Sequence, residues 1–167
     1  IDDVKEIFLL RSDPVVMKYI AKKPAENQAE ILEFLNLILT AEAENQSITW
    51  AITIAGSEKI IGTICLWNLQ PENYRGEIGY VLMPAYFGQS IMSESISLVV
   101  KYGFKVMNLH CIEGHVNPEN IGSGKVLEKN NFTREAILRE NQYYDGRFYD
   151  TAIYTLFKKD WEVLANS

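Results

Sequence analysis

The chain has 167 residues, 47% of them hydrophobic and 23% charged, with a formal net charge of −6. That length is most simply one domain, and it buries about 68–70% of its unfolded surface without a disulfide staple. The acidic balance argues against general binding to nucleic acid or an anionic membrane, which want a basic surface, and it suits a cationic substrate such as an amine.

In chain order, Val4, Ile7, Phe8 and Leu10 predict an amphipathic first helix behind Asp2-Asp3. Asp13-Pro14 predicts a stop and a restart, with Asp13 as cap and Pro14 at the first helical position. A short helix through Met17 and Tyr19 and a loop at Lys22-Lys23-Pro24 follow. Ile31, Leu32, Phe34, Leu35, Ile38 and Leu39 then make a helical stripe between about Glu26 and Ala43.

The period changes at Ile48. Ile48, Trp50, Ile52 and Ile54 alternate with polar or small residues, and Ile60 to Leu69 forms the second strand of a hairpin turning at Gly56-Ser57-Glu58-Lys59. Glu77 to Met83 reads as a strand, Pro84 to Ser90 as a loop of small and aromatic residues, and Ile91 to about Phe104 as a helix. Leu109 to Val116 is a strand, and a helix from Asn120 runs to a left-handed cap at Asn130-Asn131. Phe132–Tyr144 and Phe148–Lys158 flank Asp145-Gly146, a strong hairpin signal.

A strand–helix–strand unit implies parallel strands, and the hairpins imply antiparallel ones. The expected fold is α/β (α+β), a mixed, mostly antiparallel twisted sheet with helices on both faces. Cys65 and Cys111 lack paired spacing and read as small apolar strand residues. His110 and His115 fall on opposite faces of their strand, so no metal site is expected. No early apolar run is long enough for a transmembrane or signal segment, so a cytoplasmic location is expected. Ile1 stands where a methionine would begin the chain, which leaves room for a further N-terminal strand.

Function concentrates between Gly76 and Phe132. A strand that stops at Pro84 and a helix that starts after Ser90 leave a loop whose N–H groups converge at the positive end of a helix dipole, an anion site. Around it lie Gly76-Glu77-Ile78-Gly79-Tyr80, Pro84-x-Tyr86-x-Gly88-x-x-x-Met92-x-Glu94, Tyr102-Gly103-Phe104, Asn120-x-x-Ser123 and Leu127-Glu128-Lys129-x-x-Phe132, followed by Arg139 and Asp145-Gly146-x-x-x-Asp150. This ordered set resembles the GNAT superfamily of acyl-CoA-dependent N-acetyltransferases. It is closest to the branch holding the ribosomal-protein N-acetyltransferases of the RimJ/RimL type.

The resemblance implies a single acyl-CoA N-acyltransferase domain over residues 1–167, whose central parallel strands splay to admit the pantetheine arm of acetyl-CoA. It places CoA against Val81, Leu82 and Met83, then Gly88, Gln89, Ser90, Ile91 and Met92, then Asn117, Asn120 and Ser123. The family's phosphate loop, (Arg or Gln)-x-x-Gly-x-(Gly or Ala), reads in this chain as Ala85 to Ser90. Gly88 is kept, whereas Ala85 lacks the usual polar side chain and Ser90 is larger than the usual glycine or alanine.

The implied reaction is direct attack of an amine on the thioester, without a metal or a covalent enzyme intermediate. A primary amine must first lose its proton at neutral pH. Glu77 is the first candidate base and Glu113 the second; a backbone N–H near Leu82 holds the oxyanion. Many relatives carry a tyrosine as thiolate acid where this chain has Leu127, and Ser123 matches the serine that takes this part in the ribosomal branch. Tyr143 or Tyr144 is expected to line the acceptor groove. The acceptor is a small-molecule amine, polyamines and antibiotics included, or a protein N-terminus, and a homodimer is left open. The alternative is a degenerate acyl-CoA-sensing module without turnover, kept alive by Ala85, Ser90 and Leu127.

Overall fold

The computed structural model describes residues 3–165. Helices α1 (Val4–Ser12), α2 (Pro14–Met17) and α3 (Gln28–Ala43) come first. Asp13 separates the first two: its Oδ1 accepts the N–H groups of Val15 and Val16 at 2.7 and 3.1 Å, and Pro14 takes the first helical position. Asn27 caps α3 by accepting the Glu30 N–H at 3.1 Å.

The sheet is built from β1 (Ile48–Thr53), β2 (Ile60–Gln70), β3 (Arg75–Leu82), β4 (Cys111–Val116), β5 (Thr133–Tyr144) and β6 (Arg147–Phe157). Their order is β1-β2-β3-β4-β6-β5. Every neighbouring pair is antiparallel except β3–β4, so the mixed sheet with one central parallel pair is as the sequence predicts. Helix α4 (Ile91–Lys105) makes the crossover between the parallel strands, and α5 (Ile121–Lys129) follows β4.

Alternation along β3 assigns the two faces. Ile78, Tyr80 and Leu82 turn to the main core with Leu66, Ile96, Val100, Phe104, Ile112, Leu127 and Leu156. Val81 and Met83 turn the other way and pack on a smaller cluster of Ile7, Leu10, Ile31 and Ile60. Helices α4 and α5 therefore cover one face, and α1 and α3 the other. Each fully buried aliphatic side chain in these clusters contributes roughly 1.5–3 kcal/mol over an exposed one.

The strand boundaries differ slightly from expectation. Tyr74 adopts a left-handed conformation, φ 52°, and its carbonyl accepts the His110 N–H at 2.7 Å, so β3 begins at Arg75 rather than Glu77. A last helix, α6 (Lys158–Ala165), lies beyond the elements that the sequence predicts; its Trp161 ring packs 5.5 Å from Phe104. Among the described residues no helix is long and apolar enough to cross a membrane.

Candidate active site

The parallel pair is joined at only three positions, Arg75–Cys111, Gly76–Ile112 and Glu77–Glu113. Past these, β3 stays paired to β2 as far as Leu82–Gly62, and β4 stays paired to β6 as far as Val116–Ala152. Each strand follows its outer neighbour, and the two diverge. The Met83 N–H donates to the Ile61 carbonyl at 2.8 Å, so Gly62–Leu82 is a non-hydrogen-bonded pair of the antiparallel ladder. The Leu82 N–H and C=O consequently point away from β2, into the opening. Val81, one residue earlier, is turned toward β2, and the Met83 N–H is already taken.

At the top of the opening, Pro84–Tyr86 forms a 3-10 turn and the chain reaches α4 through Gly88 and Ser90. Gly88 has φ +74° and Ser90 φ 62°, both left-handed; a Cβ at Gly88 would meet nothing within 4 Å, so backbone conformation and not space demands glycine there. Gln89 Nε2 donates to the Ala85 carbonyl at 3.0 Å and braces the loop. The Ser90 side chain does not cap α4. Its Oγ accepts from Lys129 Nζ at 3.1 Å instead, which leaves the first-turn N–H groups of α4 unclaimed by that side chain and brings a cation from α5 beside the loop. Ile91 is half-buried and Met92 buried; both side chains serve the core.

Across the opening, Asn117 Oδ1 accepts the Glu119 N–H at 2.9 Å, and Asn120 Oδ1 accepts the Ser123 N–H at 3.1 Å. Asn120 is thus the N-cap of α5. Ser123 stands in the first turn of α5, and its Oγ lies 2.8 Å from the Tyr80 hydroxyl. Burial, relieved by this hydrogen bond, pushes the Tyr80 phenol well above its ordinary pKa, so Tyr80 stays protonated. Leu127 is fully buried, with its Cδ1 2.9 Å from where a Cβ on Gly114 would sit. It faces the sheet, not the opening.

The opposite face of the opening carries the carboxylates. Glu77 and Glu113 are register partners on β3 and β4, and His115 reaches both, with Nδ1 3.7 Å from Glu77 and Nε2 3.2 Å from Glu113. Arg75 pairs with Glu113. Glu77 is 9% exposed, and burial raises its pKa, offset by His115 and by a hydrogen bond from Asn68. A carboxyl held above its ordinary pKa beside an imidazole is a better proton acceptor than an ordinary carboxylate. His110 lies apart from this group, edge-on to Phe157 at 5.6 Å.

Two cavities adjoin the opening. One of about 460 Å³ lies beside the start of α4, lined by Ser90, Ser93, Glu94, Lys129 and Asn130 among others. The other, of about 180 Å³, lies between the segment after α2 and the β5–β6 hairpin, with Asn117 in its wall. Tyr144 lines it; Tyr143 is exposed and packs on Phe148 at 4.9 Å.

Sequence reasoning assigns no role to Tyr80, His115 or Lys129. The side-by-side Glu113 and His115 are visible in strand alternation, but their meeting with Glu77 depends on the parallel register, which one sequence does not disclose.

A family model described as "Acetyltransferase (GNAT) domain" matches residues 1–133. The uncharacterized N-acetyltransferase p20 of Bacillus licheniformis is 32% identical over 150 residues, 90% of this chain and 84% of that protein. Among solved structures, spermidine N-acetyltransferase from Vibrio cholerae in complex with CoA and spermine superposes with a TM-score of 0.85 at 23% identity, covering 96% of this chain and 93% of the other. The ribosomal-protein-S5-alanine acetyltransferase from Vibrio fischeri gives 0.82 at 23% identity, covering 95% and 88%; at these identities both show the fold. The splayed parallel pair, the left-handed loop before α4 and the family match agree: the chain belongs to the GNAT acetyltransferase family, and its chemistry is acetyl transfer to an amine.

Proposed function

We propose that the acetyl donor is acetyl-CoA, seated in the opening between β3 and β4, and that the acceptor is a primary amine entering from the Glu77 side. The observation that carries this reading is the opening itself: Leu82 presents unpaired backbone groups on one wall, and Ser123, at the positive end of α5, stands on the other. The donor supplies the thioester; the chain's own groups do the rest.

The first-turn N–H groups of α4, with Lys129 beside them, face an anion such as a pyrophosphate. Val81 and Met83 serve mainly by packing the wall from behind, and Gly88, Gln89 and Ser90 shape the loop. Glu77, helped by His115, accepts the amine proton directly or through one water. The Leu82 N–H is placed to stabilise a developing oxyanion, an effect worth about 3–4 kcal/mol for a well-aimed donor. Ser123 donates a hydrogen bond to the departing sulfur, oriented by Tyr80, and the sulfur leaves as a thiolate that takes its proton from solvent water.

The test is release of free thiol by the purified chain from acetyl-CoA with a panel of amines and peptides. Turnover with at least one acceptor supports the reading. Tight CoA binding without release from any acceptor would return the non-catalytic acyl-CoA sensor to first place.

A further inference from the structure

The 180 Å³ cavity differs in charge from the molecule that holds it. The protein carries −6 overall, yet no aspartate or glutamate lines this cavity, whereas Lys18 and Lys22 both do. The remaining polar lining is neutral: Tyr19, Asn117, Gln142, Tyr144 and Tyr149. Lys18 Nζ sits 4.8 Å over the Tyr19 ring, and Glu119 is the carboxylate whose charge it feels. Among the described residues neither lysine forms a salt bridge.

Position ties the cavity to the chemistry. Asn117 is the residue after β4, so the cavity abuts the open end of the strand pair. The charge of Lys22 is felt at the Cys65 thiol, which lies opposite Gly79 on β3 and also feels Glu77. A polycation brought to this cavity would meet two ammonium groups and no carboxylate in the lining, the nearest acidic charge felt at Lys18 being that of Glu119 outside it. A small molecule with an anion at one end and an amine at the other would place the anion on the lysines and leave the amine toward Glu77. The volume fits a compact acceptor, being below the 300–1,000 Å³ usual for drug-sized ligands.

We infer that the acceptor is a small primary amine carrying an anionic group, a carboxylate or a phosphate, held by Lys18 and Lys22. This rests on the acetyl-transfer reading above and narrows it. It selects against polyamines, although the overall acidity of the chain suits them.

The test compares acceptors matched in shape and different in charge. Thiol release from acetyl-CoA is measured with the common amino acids against their carboxamides, O-phosphoethanolamine against ethanolamine, and spermidine; CoA binding is followed in parallel by thermal shift. At least one anionic amine is expected to exceed its neutral counterpart in kcat/KM by roughly tenfold or more, the effect of one charge-assisted hydrogen bond. Whether the amino acids or O-phosphoethanolamine show the gap identifies the anion. The double variant Lys18→Ala, Lys22→Ala should abolish that gap while CoA binding and turnover of the neutral amine persist. Preference for spermidine or for the neutral partners overturns the inference and leaves acetyl transfer standing. CoA binding with no release from any anionic amine overturns it as well. Absence of both CoA binding and thiol release defeats the underlying reading and the inference with it.

Discussion

The Tyr80 hydroxyl and the Ser123 Oγ meet at 2.8 Å across 43 residues of sequence, one from the splayed strand β3 and the other from the first turn of α5. Buried and held in its protonated form, Tyr80 can donate to Ser123 and turn the serine proton outward. Leu127, at the α5 position where the family resemblance implies a thiolate acid, is a buried core residue in this chain.

Ser123→Ala should therefore lower kcat by about ten- to a hundredfold while leaving the KM for acetyl-CoA within about threefold, since a hydrogen bond to a charged group is worth roughly that order. Tyr80→Phe should produce a smaller fall in the same parameter. Steady-state kinetics on both variants and on the double variant decides the matter. If the serine and tyrosine act as one unit, the double variant falls short of the product of the singles; full multiplicativity would separate them.

Leu127→Tyr should not restore the missing acid. The side chain at 127 packs on β4 over Gly114, and the larger ring would overfill the core at a cost of about 1–3 kcal/mol. Denaturant unfolding should show the loss, and thiol release should show no gain.

An acid limb is expected with Glu77 as the proposed base. Its pKa is raised, chiefly by burial, so kcat/KM should fall with acid at a pH above the ordinary carboxylate range, and Glu77→Gln should remove that limb and lower the rate by about a hundredfold. His115 holds this pKa down, so His115→Ala should shift the limb to higher pH; Arg75 and Glu113 complete the charges on that face. Stability runs the other way. A carboxyl whose folded pKa exceeds its unfolded value contributes stability that is full below the unfolded pKa and lost as pH rises through the folded one. Glu77→Gln should accordingly raise the unfolding free energy at neutral pH relative to acid.

Ser90 tests the loop. As a non-glycine residue at φ 62° it bears a conformational cost of about 1–2 kcal/mol, which Ser90→Gly removes. The same change deletes the acceptor of Lys129. Thermal unfolding without ligand should therefore rise, and the added stabilisation by CoA should shrink; calorimetry on the same samples measures both.

Much of the fold was legible because its signals are local. The alternation from Ile48 to Thr53, the Asp13-Pro14 restart and the Asp145-Gly146 turn each act within a few residues. Loop position and the start of α5 at Asn120 were legible for the same reason. The Tyr80–Ser123 pair, the Lys129–Ser90 contact and the facing of Glu77 by His115 join elements far apart in sequence, and no periodicity encodes them. Helix α6 escaped because it starts directly at Lys158, without a cap residue or a glycine to mark the change.

The three-position seam between β3 and β4 has a consequence for how the molecule opens. It makes the sheet two half-sheets, β1–β3 and β4–β6, with few shared rungs. In the empty protein these halves should exchange their amide hydrogens as partly independent units. A ligand bonded to both edges acts as a missing seventh strand: at a hundred times its Kd it adds about 2.7 kcal/mol and couples the two halves into one exchange unit. The donor molecule is then also a suture, and release of the CoA product would loosen the sheet that held it.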